Sequence, residues 1–117
     1  MDLDAALQVH GDWKARFRDA IEQQLPFDVR TIAVDDRCPL GLWLHGEARE
    51  QFGSLRTYHD CVARHAAFHL EAGKVAAAIN AGQYHVALAM LDFGTTYSAA
   101  SSALGGAVMA LKRDARL

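Results

Sequence analysis

The chain has 117 residues, of which 51% are hydrophobic and 22% charged, and its formal net charge is −2. That length and composition lead us to expect one ordinary globular domain over residues 1–117, large enough to fold without disulfides. No basic run or acidic tail is present to hold a polyanion, which argues against nucleic acid as a partner, and no apolar run approaches the ~20 residues that span a bilayer.

The N-terminal MDLDAALQVH opens with acids and lacks the apolar core of a secretion signal, so a cytoplasmic location is expected. In that compartment the two cysteines, Cys38 and Cys61, are better read as free thiols or metal ligands than as a disulfide. Leu3, Leu7, His10, Trp13, Phe17 and Ile21 recur at steps of three and four, which predicts a first helix with these residues on its inward face. Asp2 and Asp4 suit its positive end, and Pro26 stops it.

Residues 25–37 carry little helical periodicity and are expected to be a connection. TIAV at 31–34 is the only β-prone run and is read as part of that loop. Asp35 and Asp36 offer N-cap chemistry, and Pro39 is tolerated in a first turn, so a short helix is expected over 38–45, followed by a loosely helical stretch to Phe52. Ser54 is the expected N-cap of the longest helix. Its seam runs through Leu55, Tyr58, Val62, His65, His69, Ala72, Ala76 and Ile79, and it should end near Gly82. A shorter helix follows over 84–91, and Gly94 breaks it. A last helix, capped by Thr95 or Thr96, turns Tyr97, Ala100, Leu104, Val108 and Leu111 inward and ends with Lys112 and Arg113. The fold expected is all-α: an antiparallel four-helix bundle with an additional short helix that carries Cys38.

His65 and His69 lie one turn apart on one helix face, where two imidazoles can converge on one metal ion. Both interrupt an apolar seam, and a buried imidazole needs a partner for each ring nitrogen. Cys61 extends the ladder to i, i+4, i+8, but its ends are ~12 Å apart on a straight helix. Zinc bonds of ~2.0–2.3 Å therefore allow either the 61/65 pair or the 65/69 pair, never all three. A tetrahedral site needs further donors. His10 is the best imidazole, since it faces inward among Leu7, Trp13 and Phe17. Cys38 is the best thiolate, since a helix N-terminus stabilises the anion. Taken singly, His10 is better read as a core histidine bonded to a carbonyl and Cys38 as an inert thiol, and Cys61 is better read as a small packing residue; His10, Cys38, His65 and His69 together, on inward-facing positions, favour the metal. His45, His59 and His85 read as surface or capping residues.

These residues resemble the chemoreceptor zinc-binding (CZB) domain family. The resemblance rests on His10 followed by Trp13, on Cys38-Pro39-Leu40-Gly41-Leu42-Trp43, and on His65-x-x-x-His69, in that order and at similar gaps. It implies a zinc site of His10, Cys38, His65 and His69, with Trp13, Leu40, Gly41 and Trp43 in support. Plain core packing accounts equally well for the two tryptophans. Similar domains regulate bacterial chemoreceptors and diguanylate cyclases in response to zinc or to oxidants such as hypochlorous acid, and similar domains pair as homodimers. The function implied is therefore regulatory, not enzymatic: a His3Cys site has no open position for a substrate. No output module lies within these residues, so the expectation is a stand-alone protein or a piece of a larger one. The competing readings are a metal-free helical adaptor, a hemerythrin-like di-iron bundle, which lacks its Glu-x-x-His here, and a zinc hydrolase without an evident general base.

Overall fold

A computed structural model describes all 117 residues, and every regular element in it is helical. The order is α1 (Leu3–Gln23), α2 (Val29–Ile32), α3 (Pro39–His45), α4 (Glu47–Phe52), α5 (Arg56–Asn80), α6 (Tyr84–Met90) and α7 (Thr96–Ala115). The inward face expected for α1 is buried or half-buried throughout, from Leu3 to Ile21. Asp2 caps this helix by accepting the Ala5 N–H at 3.0 Å.

Contacts between side chains fix the directions. Thr57 donates to Asp114 and Thr96 donates to Glu71, so α5 and α7 run antiparallel. Lys112 pairs with Asp4 and Tyr97 packs against Phe17, so α1 is antiparallel to α7 and parallel to α5. Between α1 and α5 the chain returns along α5 as α2, α3 and α4. Phe27 sits opposite Asn80, Ile32 opposite His69, and Leu44 opposite Tyr58. The bundle thus has four legs, the second built from three short helices and the last from α6 and α7. One buried cluster fills it, with Phe17, Phe68, Leu40, Leu44, Leu104 and Leu111 almost fully enclosed.

Three local expectations need correction. Residues 29–32 form a helical turn, α2, within the stretch read as connection; Asp28 precedes it and Ile32 anchors it in the core. The cap of α3 is Cys38 itself, whose Sγ accepts the Gly41 N–H at 3.3 Å, so neither Asp35 nor Asp36 performs that task. Ser54 does not cap α5: Gly53 and Ser54 form a turn closed by the Leu55 N–H on the Phe52 carbonyl, and Leu55 holds the N-cap position.

Candidate metal centre

His10 projects from α1, Cys38 from the start of α3, and His65 and His69 from successive turns of α5. Their donor atoms meet: one atom from each of the four lies within 4.8 Å of all the others. His65 Nε2 is 3.2 Å from His10 Nε2 and 3.0 Å from His69 Nε2. Cys38 Sγ is 3.7, 3.2 and 3.5 Å from the Nε2 atoms of His10, His65 and His69. A tetrahedron with ordinary zinc bond lengths has edges of about 3.3 Å between nitrogens and about 3.6 Å between nitrogen and sulfur. The five spacings given lie within about 0.4 Å of those edges, and no carboxylate belongs to the group.

The outer ring nitrogens decide which lone pairs face inward. His10 Nδ1 lies 2.7 Å from the Ala6 carbonyl, and His69 Nδ1 lies 2.8 Å from the Ile32 carbonyl. A carbonyl only accepts, so each Nδ1 carries the proton and each Nε2 keeps a lone pair directed at the cluster. This is the arrangement that orients histidines toward a metal. Inward-facing lone pairs on several nitrogens and a sulfur repel one another unless a cation balances them. The donor set therefore fits a thiophilic divalent metal such as zinc. His65 Nδ1 is buried without a hydrogen-bond partner.

Burial sets the protonation states. His10, His65 and His69 are at most 4% exposed. Desolvation, helped by the neighbouring histidines, holds the His65 pKa down to about 3. Desolvation also lowers those of His10 and His69, so all three imidazoles are neutral near pH 7 and free to act as ligands. Burial raises the Cys38 thiol pKa, against the lowering effect of the Gly41 N–H. A metal at this position would displace the thiol proton, since only the thiolate is a strong ligand.

The supporting residues occupy different places. Leu40 is buried on the inner face of α3. Gly41 has a steric reason to be glycine, because a Cβ there would overlap the Asp35 carbonyl and come within 3.2 Å of His65 Cε1. Trp13 packs on Phe17 and Phe27, and also borders a recess of about 120 Å³ that reaches Cys38 and His69. Trp43 faces Phe52 of α4, with ring centroids 6.2 Å apart. Cys61 is fully buried in the core with its pKa pushed up to about 11 by desolvation, and it is not among the four clustered residues.

Sequence reasoning missed Phe68, which packs edge-on against His10 and His69 and follows the same helical spacing as His65 and Ala72. It also missed the pairing of Asp35 with His45, 2.8 Å between Oδ2 and Nε2, for which no local pattern exists. The Asp35 charge works against the lowering of the His65 and His69 pKa values, and its carboxylate is not among the four clustered donors.

No curated protein and no solved structure matches the chain. Residues 10–76 match the family described as the chemoreceptor zinc-binding domain, a span that runs from His10 through His69 to the last third of α5. The chain belongs to the chemoreceptor zinc-binding domain family.

Proposed function

We propose that residues 1–117 act as one regulatory zinc domain, in which His10, Cys38, His65 and His69 hold a single Zn²⁺ and Cys38 is the member that responds to oxidants. The observation that carries this reading is the convergence of three neutral imidazoles and one sulfur within 4.8 Å. Four protein donors fill a tetrahedral sphere and leave no position for a substrate, so the domain is a regulator and not an enzyme. Zinc, when bound, would stabilise the Cys38 thiolate at neutral pH.

The chain's own residues divide the work. α5 presents His65 and His69 as a rigid pair, and the carbonyls of Ala6 and Ile32 hold His10 and His69 in the ligating tautomer. Cys38 is the accessible donor, because it is half-buried and borders the recess beside Trp13 and Arg37. Transfer of oxygen from hypochlorous acid to the thiolate oxidises sulfur by two electrons, gives the sulfenic acid and releases chloride. The sulfenic acid is a poorer ligand, so α3 loses its tie to α1 and α5 while the bundle persists. Such a loosened element is what an attached signalling output, a chemoreceptor or diguanylate cyclase in the cytoplasm, could read from a homodimer. No helix of the chain is long and apolar enough to cross a membrane.

Metal analysis of purified protein tests the reading. One zinc per chain is expected, weakened by Cys38→Ala and unaffected by Cys61→Ala. Iron in place of zinc, or dependence on Cys61, overturns the ligand set. Stoichiometric hypochlorous acid should modify Cys38 and release zinc with most far-UV helix signal kept; retention of zinc by the oxidised protein overturns the redox role.

A further inference from the structure

A second concavity, about 600 Å³ in volume, lies between α4 and the first turns of α5. Its size falls within the range of small-molecule sites. Tyr58, Val62 and Ala63 form its floor, and His45, Arg49 and His59 provide its polar lining. The Tyr58 hydroxyl is already committed to the Leu44 carbonyl at 2.7 Å, so that residue offers mainly its ring. His59 Nε2 donates to the Gly53 carbonyl at 2.6 Å, and His45 Nε2 donates to Asp35 at 2.8 Å. Arg49 is exposed and makes no ion pair, which leaves its forked guanidinium available. No carboxylate lines the concavity. An apolar floor beneath one forked cation selects a particular ligand chemistry: a single carboxylate joined to a small apolar body.

We propose that this groove binds a small monocarboxylate, its carboxylate paired with Arg49 and its apolar part on Val62 and Ala63, and that occupancy is felt at the metal centre through His45 and Asp35. The connection is short. His45 ends α3, the helix that Cys38 begins, and it holds the Asp35 side chain. The Asp35 backbone in turn packs on Gly41, beside His65. A ligand touching His45 therefore bears on the two residues that set where α3 sits against His65. Binding at either site must then alter affinity at the other by the same factor. This coupling rests on the zinc reading above, whereas carboxylate binding does not.

The test is an NMR titration of the ¹⁵N-labelled full chain with sodium benzoate, beside benzyl alcohol as the uncharged match. Saturable shifts are expected with benzoate at residues around 45–63 and, along the connection, at Asp35 and Gly41, with affinity at least tenfold weaker for the alcohol. Arg49→Ala should weaken benzoate at least tenfold, and Ala63→Glu, which places a carboxylate on the groove's floor, should abolish binding while the spectrum stays folded. Equal binding of the alcohol, scattered shifts, or an unchanged Arg49→Ala overturns the site. Chelator competition then measures zinc affinity with and without saturating benzoate. A change of threefold or more in the wild type, lost in His45→Ala, supports the coupling, and an unchanged affinity overturns it. A chain that binds benzoate but no zinc would sink the metal reading and leave the groove standing.

Discussion

At the start of α3, one sulfur caps a helix and is also the proposed zinc ligand. Cys38→Ser separates the two tasks. Serine is a preferred N-cap and keeps the helix start, but it gives up the soft thiolate. The expected outcome is a folded protein with wild-type helix content. Its zinc affinity should fall by more than the ~10–100-fold typical of losing a supporting residue, as read by chelator competition. Cys61→Ser should do the reverse: unchanged zinc affinity, with stability lowered by about 1–3 kcal/mol because a hydroxyl enters a fully buried apolar position. Gly41→Ala belongs beside these. Its Cβ would overlap the Asp35 carbonyl, so α3 must shift, and a loss of about 1–3 kcal/mol in denaturant unfolding is expected together with weaker zinc binding. Of the four clustered residues, the three histidines were legible in the sequence because histidines that interrupt an apolar helical face stand out, and Cys38 because it stands at the start of a short helix. Asp35 and His45 were not, because their pairing crosses an irregular segment and leaves no period to read. The capping role of Cys38 was hidden for another reason: cap preferences point to oxygen side chains, and two aspartates stood nearby.

Among the elements, the second leg differs from the others in what holds it. α1, α5 and α7 are long helices with continuous apolar faces, and their periodicity made them readable. The stretch from Val29 to Phe52 contains three helices of seven residues or fewer, too short to be stable alone, so tertiary contacts decide their form. That is why α2 was invisible in the sequence. Besides the bond from His69 to the Ile32 carbonyl, three contacts pin the leg. Asn80 clamps Phe27 by accepting its N–H at 2.8 Å and donating to its carbonyl at 2.7 Å. Ala33 packs so close to Gly73 that a Cβ there would sit 2.6 Å from the alanine methyl. Tyr58 bonds Leu44. Asn80→Ala removes two hydrogen bonds at an exposed position, each worth ~0.5–1.5 kcal/mol, and should cost about 1–2 kcal/mol. Hydrogen exchange should quicken at Phe27–Ile32 and stay unchanged in α7; uniform quickening would mean that the leg is not a separate unit.

For the whole molecule, the proposed zinc joins three legs and leaves out the fourth. His10 comes from α1, Cys38 from the second leg, and His65 and His69 from α5, whereas α7 brings Leu104, Val108 and Leu111 to the core. Metal removal should therefore cost the second leg most of its exchange protection while α7 keeps its own. The metal-free fold also carries a fixed response to acid. Three histidines are buried neutral, with folded pKa values lowered by desolvation, that of His65 to about 3. The unfolded chain takes protons on the same residues near the ordinary histidine pKa of about 6.5. Well above that pH neither state is charged at these positions, and the histidines add no pH dependence. As the pH falls through about 6.5 the unfolded state gains protons that the fold refuses, so stability drops by up to ~1.4 kcal/mol per pH unit for each histidine. For His65 the decline continues toward about pH 3, where the folded form also titrates. Denaturant midpoints of the metal-free protein at pH 8, 6.5 and 5 should thus fall slightly across the first interval, by the equivalent of about 0.4 kcal/mol per histidine as far as these groups act, and about four times as much for His65 across the second. Substituting His65 with leucine should make the fall shallower by one proton's worth. A midpoint that rises on acidification would mean that the three imidazoles are charged inside the fold, and neutral nitrogens could not then be waiting there as ligands.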